Sequence, residues 1–158
     1  MFEPKFCLLI EQDAFTDKSA ACLGSQLVEL IEFMDEKLPA HEWYGANVVA
    51  PGVAWVGYDK FKLKHIGETE TLLAKAQTTL QFEYGVFVAI GLPFLSQVID
   101  EELDTEDKRF RKIALDGVLI EIRTFDFGYF LIFSEEKRIL EIVNTYFGGR
   151  IESIETFN

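Results

Sequence analysis

The densest set of ionisable side chains in this sequence is an acidic tract from Asp100 to Asp107 (DEELDTED). Six of its eight residues are carboxylates, and four of the next five residues, Lys108 to Lys112, are basic. Closely spaced carboxylates can bind Ca²⁺ or attract a cationic partner. A calcium loop needs a central glycine and a glutamate at its twelfth position, where this chain has Arg111. The tract therefore indicates a solvated loop or a surface for a basic partner.

Other residues that could do chemistry belong to no catalytic or metal-binding sequence motif. His41 and His65 are the only histidines, and we interpret both as solvated loop residues. No serine lies in a G-x-S-x-G elbow, and the chain has no glycine-rich phosphate-binding loop. The sequence therefore predicts no metal, no cofactor and no catalytic residue. An acid–base pair among its twenty-seven carboxylates stays open as an alternative.

Net charge favours one class of partner over others. Fifteen Lys and Arg against twenty-seven Asp and Glu give a formal charge of −12 at pH 7. Such a field repels nucleic acid and anionic membrane surfaces and attracts basic proteins. We expect a protein partner with a basic surface, no direct contact with nucleic acid and no association with membranes.

Length and cysteine usage indicate one domain in a reducing compartment. A chain of 158 residues can bury a core without disulfides or metals. Cys7 and Cys22 have no CxxC spacing and are predicted to be small buried apolar residues. The apolar run Phe6–Ile10 is too short for a signal peptide or a membrane span. Cytoplasmic localisation is the resulting expectation.

Hydrophobic periodicity predicts three helices. The first contains Leu23 to Leu38 and is capped by Asp17 or Ser19; the second covers Thr69 to Leu80. The third starts at Ser134 and ends at Gly148-Gly149.

Short apolar and β-branched runs predict the strands. They cover Phe6–Ile10, Tyr44–Val49, Val53–Val56, Phe61–Ile66, Phe82–Ile90, Ile113–Leu115, Val118–Thr124 and Tyr129–Phe133, with Arg150–Phe157 as an edge strand or a tail. Asp116-Gly117 suits a tight hairpin turn, and a second turn is predicted at Asp126 to Gly128. Residues 1–158 are therefore expected to form a single α+β domain, with about three helices packed on a mixed, mostly antiparallel sheet.

Three stretches together resemble a known class of proteins: Trp43–Val48 (WYGANV), Gln81–Phe87 (QFEYGVF), and Glu121–Phe133 (EIRTFDFGYFLIF) running into the third helix. The combination is similar to bacterial immunity-type proteins encoded beside contact-dependent or other polymorphic toxins. The resemblance implies a cytoplasmic protein that neutralises one toxin by covering its active site or a nearby exosite. A nuclease is a reasonable toxin, because enzymes acting on nucleic acid carry basic surfaces.

The expected contact residues are the acids of the tract and two residues near the second turn. They are Asp100, Glu101, Glu102, Asp104, Glu106, Asp107, Asp126 and Tyr129. Phe127 is either an exposed anchor or a turn residue that points inward. Two other functions stay open: a small carboxylate-dependent enzyme, and a structural or regulatory interaction module that is a monomer or a homodimer.

Overall fold

The computed structural model describes residues 1–97, 99 and 113–157. Within them the chain forms one sheet of seven strands in the order β3-β2-β4-β5-β6-β1-β7. Every pairing between these strands is antiparallel. The strands are β1 (Phe6–Ile10), β2 (His41–Val49), β3 (Lys64–Gly67), β4 (Tyr84–Gly91), β5 (Val118–Phe125), β6 (Tyr129–Phe133) and β7 (Arg150–Ser153).

Three helices contribute to the core on one face of the sheet. They are α1 (Gly24–Asp35), α2 (Thr69–Gln77) and α3 (Lys137–Phe147); a fourth, one-turn helix, α4 (Ile154–Phe157), follows β7. Leu27, Leu72 and Val143, one from each long helix, belong to the same buried cluster as Ile120 and Ile122 of β5. The predicted single α+β domain, with about three helices on a mostly antiparallel sheet, is confirmed; among the described strands, no pair is parallel.

The opposite face of the sheet is buried as well. Val86 and Val88 of β4 belong to a second apolar cluster there, and Ile113 and Ile154 come from outside the central strands to join it. Burial on both faces explains why several strands read as continuous apolar runs rather than as alternating patterns. It also places the intervening residues of β5, Glu121 and Arg123, inside the protein.

Local signals predicted several elements correctly. β1 is buried on both faces and lies between β6 and β7, one position from the edge. Helix α3 ends at Phe147 and is capped as predicted by Gly148, whose φ of 71° suits glycine, although it starts at Lys137 rather than at the predicted Ser134. The turn between β5 and β6 lies where it was predicted, and Arg150–Ser153 is an edge strand.

Other predictions were wrong. No strand forms at Val53–Val56, where the chain makes turns. Asp116-Gly117 does not close a hairpin, because the preceding Ile113 pairs with Phe2 while β5 pairs with β4. Gly117 does adopt a φ of 74°, and its carbonyl accepts a hydrogen bond from the Gly91 amide at 2.9 Å. The turn residue was recognised correctly, but its partner strand was not.

The start of α1 also differs from the prediction. The helix begins at Gly24 rather than near Asp17 or Ser19. The side chain of Gln26, fully buried, accepts a hydrogen bond from the Leu23 amide at 3.0 Å. Asp17 instead binds the amide and hydroxyl of Ser19. The buried glutamine therefore determines where the helix starts.

Candidate functional site

Two consecutive residues with left-handed backbone conformations lie at the tip of the β5–β6 hairpin. Asp126 and Phe127 have φ angles of 45° and 53°, and the Gly128 amide donates to the Phe125 carbonyl at 2.7 Å. Positive φ at both central positions is the arrangement of a type I′ hairpin turn, which normally takes asparagine, aspartate or glycine. A left-handed conformation costs a residue with a Cβ roughly 1–2 kcal/mol. Phenylalanine is therefore disfavoured by the backbone conformation at position 127.

The side chain of Phe127 is exposed, which resolves the alternative left open by the sequence. Its residue is 46% accessible, and the adjacent Asp126 is exposed as well. Directly below the tip, the rings of Phe125 and Tyr129 stack with centroids 5.4 Å apart and planes 7° apart. Tyr84 of β4 is the cross-strand neighbour of Phe125. The turn thus projects an apolar ring from a row of aromatic residues.

Tyr129 fastens this hairpin to the rest of the fold. Its carbonyl accepts a hydrogen bond from the Cys22 thiol at 3.4 Å. Burial raises the pKa of the Tyr129 hydroxyl, and the negative charges of Cys7, when it is ionised, and of Glu152 add to that shift. The base of the hairpin is therefore partly buried, whereas its tip is open to solvent.

The sequence-predicted contact residues have different positions. Asp126 and Tyr129 lie on the same hairpin, three residues apart. The other predicted contacts lie outside the described residues: Asp100, Glu101, Glu102, Asp104, Glu106 and Asp107.

The interpretation of both histidines as loop residues was wrong, and His41 is not solvated, whereas the His65 side chain is 55% exposed, as expected. His41 begins β2 and His65 lies in β3. The Nε2 atom of His65 is 2.9 Å from Oε1 of Glu42, and Nε2 of His41 is 3.5 Å from Oδ1 of Asp35. These carboxylates belong to a neighbouring strand and to the end of α1, so no local spacing could reveal them.

A polar network surrounds His41. The indole of Trp43 donates to the Thr69 hydroxyl at 3.1 Å, and that hydroxyl donates to Oδ1 of Asp35 at 2.6 Å. Asp35, His41 and Thr69 line a cavity of about 360 Å³. No local pattern in the sequence predicts this network, because its members come from α1, β2 and α2.

The chain also contains one Ser-x-x-Lys spacing, at Ser134 and Lys137. The ammonium group of Lys137 lies over the ring of Phe6, 4.6 Å from its centroid. The Ser134 hydroxyl donates to the Leu119 carbonyl at 3.3 Å and accepts the Glu136 amide at 3.1 Å. Both side chains are thus engaged in packing and in the turn before α3.

A cavity of about 630 Å³ lies beside this turn, lined largely by apolar residues of the α1 end, the 115–119 segment and α3. Across the described ranges, no three histidines, cysteines or carboxylates are grouped so that they could hold a metal ion. Nor does any described helix have the length and apolar character to cross a membrane.

Comparison with protein-family models, with curated proteins and with solved structures yielded no match in any of the three.

Proposed function

We propose that this protein is an immunity-type inhibitor that binds a basic bacterial toxin one to one, with the β5–β6 hairpin as its anchor. The observation that carries the proposal is the exposed Phe127 ring, held at the tip of a turn whose backbone geometry disfavours phenylalanine. The toxin's active site or a nearby exosite is the surface covered.

Backbone strain at an exposed position supports a binding role. A residue held in a sparsely populated conformation persists when its surroundings impose it, and such residues cluster at ligand clamps and active sites. Glycine at position 127 would remove the strain, but it would also remove the ring. Burying a phenylalanine side chain in a partner's pocket stabilises a complex by about 1.5–3 kcal/mol. The hairpin thus has the geometry of an interface anchor.

Charge supports the nature of the partner. Asp126 lies next to Phe127 at the tip, in a protein with a net charge of −12. Complementary charge speeds association with a basic surface and disfavours acidic competitors. A nuclease toxin fits this requirement, because its substrate is a polyanion.

Co-expression with the product of the immediately upstream gene tests the proposal. We expect the protein to restore growth and to co-purify with that product in equimolar amount. Absence of binding to any neighbouring gene product would overturn the proposal.

A matched pair of variants then tests the anchor. Phe127→Ala should weaken binding at least about tenfold, as expected for loss of an interface hot spot. Phe61→Ala is the control, because Phe61 is 45% exposed, nearly the same as Phe127, and lies in the connection between β2 and β3. Equal affinity of both variants and the wild type would exclude the hairpin as the anchor.

A further inference from the structure

A second polar site lies at the end of the sheet opposite the hairpin. Phe125 and its neighbour Tyr84 mark the hairpin end, whereas His41 pairs with Gly91 at the other end of β4. The cavity there, about 360 Å³, falls within the range of small-ligand sites. Its polar lining consists of four carboxylates, one imidazole and one hydroxyl: Asp35, Glu42, Glu68, Glu70, His41 and Thr69.

No lysine or arginine of the described chain lines this cavity. Glu42 is paired with His65 through one oxygen. Within the described residues, Glu68 and Glu70 take part in no side-chain ion pair. Among the described side chains, the carboxylates of this cavity therefore outnumber the cations that could balance them.

The buried ring of His41 supplies an independent observation. Its Nδ1 lies 2.7 Å from the Pro39 carbonyl, which can only accept, so Nδ1 carries the proton. In the neutral ring Nε2 is then an acceptor. Its side chain is only 4% exposed, and Nε2 has no hydrogen-bond partner in the described part of the chain.

The carboxylate beside Nε2 offers no donor. Oδ1 of Asp35, 3.5 Å away, is also an acceptor and already receives the Thr69 hydroxyl at 2.6 Å. With a neutral His41 ring, two acceptors face each other, and a buried acceptor without a donor costs about 1–3 kcal/mol. The Asp35 side chain is 43% exposed and lines the cavity, so a ligand in the cavity can reach its carboxylate.

We propose that this cavity binds an organic cation that carries several N–H donors, a guanidinium or a primary ammonium group. Such a group supplies the hydrogen bond that His41 Nε2 lacks and neutralises the carboxylate charge. Leu38, Pro39 and Leu92 line the same cavity and can cover an aliphatic stem. The site lies away from the hairpin, so the inference does not depend on the proposed toxin partner.

Titration of the purified protein followed by ¹⁵N NMR of the His41 ring tests this proposal. The probes are N-acetyl-arginine methylamide, which represents a protein side chain, and agmatine, which represents a free polyamine. N-acetyl-citrulline methylamide is the uncharged isostere, and NaCl at equal ionic strength controls for screening. We expect saturable shifts at His41 Nε2 and Thr69 with either cation. Tighter binding of agmatine assigns a free ligand, and tighter binding of the blocked arginine assigns a side chain.

Charge-neutral variants locate the site. Asp35→Asn and Glu70→Gln should each weaken binding of the better probe about tenfold, whereas Glu141→Gln on the exposed face of α3 should not change it. The proposal is overturned if citrulline or NaCl reproduces the shifts, or if neither cation binds. An imidazolium signal from His41 at pH 7 without ligand also overturns it, because Nε2 would then be a donor to Asp35.

Discussion

Oε1 of Glu121 accepts a hydrogen bond from Nε of Arg123 at 2.6 Å, on a sheet face from which water is excluded. Glu121 is fully buried and Arg123 is 3% exposed. Both side chains point to the same face of β5, between the apolar neighbours Val86 and Val88 of β4 and Leu131 and Phe133 of β6. The second oxygen of Glu121 has no hydrogen-bond partner in the described chain. The pair is therefore a costly arrangement in the middle of the sheet.

Removing the Arg123 guanidinium should destabilise the folded protein. Arg123→Met leaves a buried carboxylate without its partner, so we expect the free energy of unfolding at pH 7 to fall by about 3–5 kcal/mol. Urea denaturation measures this change. The double variant Glu121→Gln/Arg123→Met should be more stable than the single variant. If the double variant loses as much stability as Arg123→Met alone, or more, the carboxylate is not the source of the loss.

The same pair predicts a pH dependence of stability. Burial raises the pKa of Glu121, and the Arg123 charge and hydrogen bond only partly oppose it. The folded state therefore keeps this proton over a pH range in which the unfolded state has lost it. Stability should fall as pH rises from the ordinary glutamate pKa through the raised value. Glu121→Gln has no such proton to lose. Its free energy of unfolding minus that of the wild type should therefore increase across that pH window. A pH-independent difference would contradict the shift.

Several elements could be predicted because their signals are local. The apolar run of β1 and the glycine stop at Gly148 need no knowledge of the rest of the chain. Asp116-Gly117 shows the limit of such signals: the dipeptide predicts a reversal, but which strand follows depends on long-range pairing.

The two candidate sites depend on tertiary structure in the same way. The sequence predicts a turn at Asp126 to Gly128 but not its type, so the positive φ of Phe127 appears only in the folded chain. Asp35, His41 and Thr69 are distant in sequence and meet only after α1, β2 and α2 have packed together.

The conformation of the loop before α1 should depend on the side chain of one buried glutamine, Gln26. Gln26 accepts from the Leu23 amide and donates to the carbonyls of Asp17 and Ala20 at 2.8 and 2.7 Å. Gln26→Ala should lower the free energy of unfolding by about 2–4 kcal/mol, because buried backbone groups lose their partners. Gln12→Ala is the matched control: its exposed amide also donates to a carbonyl of this loop, and its loss should cost less than about 0.5 kcal/mol. Equal losses in urea denaturation would contradict this role of Gln26.

The two cysteines should be chemically inert in the folded protein. Burial raises the pKa of Cys7 to about 12 and that of Cys22 to about 11, so the reactive thiolate is scarce at pH 8. Ellman's reagent should modify the native protein more than about a hundredfold more slowly than the guanidinium-unfolded chain, which should show two thiols. Rapid labelling of either native thiol would show that its segment opens readily. The variants Cys7→Ala and Cys22→Ala would identify that thiol.

Glycine at position 127 should raise the stability of the protein while it weakens binding of the proposed partner. Phe127→Gly removes left-handed strain of roughly 1–2 kcal/mol, against an entropic cost of about 0.5–1 kcal/mol for the glycine. The free energy of unfolding should therefore rise by about 0.5–1 kcal/mol, as measured by urea denaturation. Phe127→Ala keeps a Cβ at the same positive φ and should gain no stability.

Both variants at position 127 lose the ring, so both should bind the proposed partner equally weakly. A Phe127→Gly protein less stable than the wild type would show that the ring packs against its own fold. In that case intramolecular contacts of the ring would offset the cost of the backbone strain, and Phe127 would not be a binding anchor.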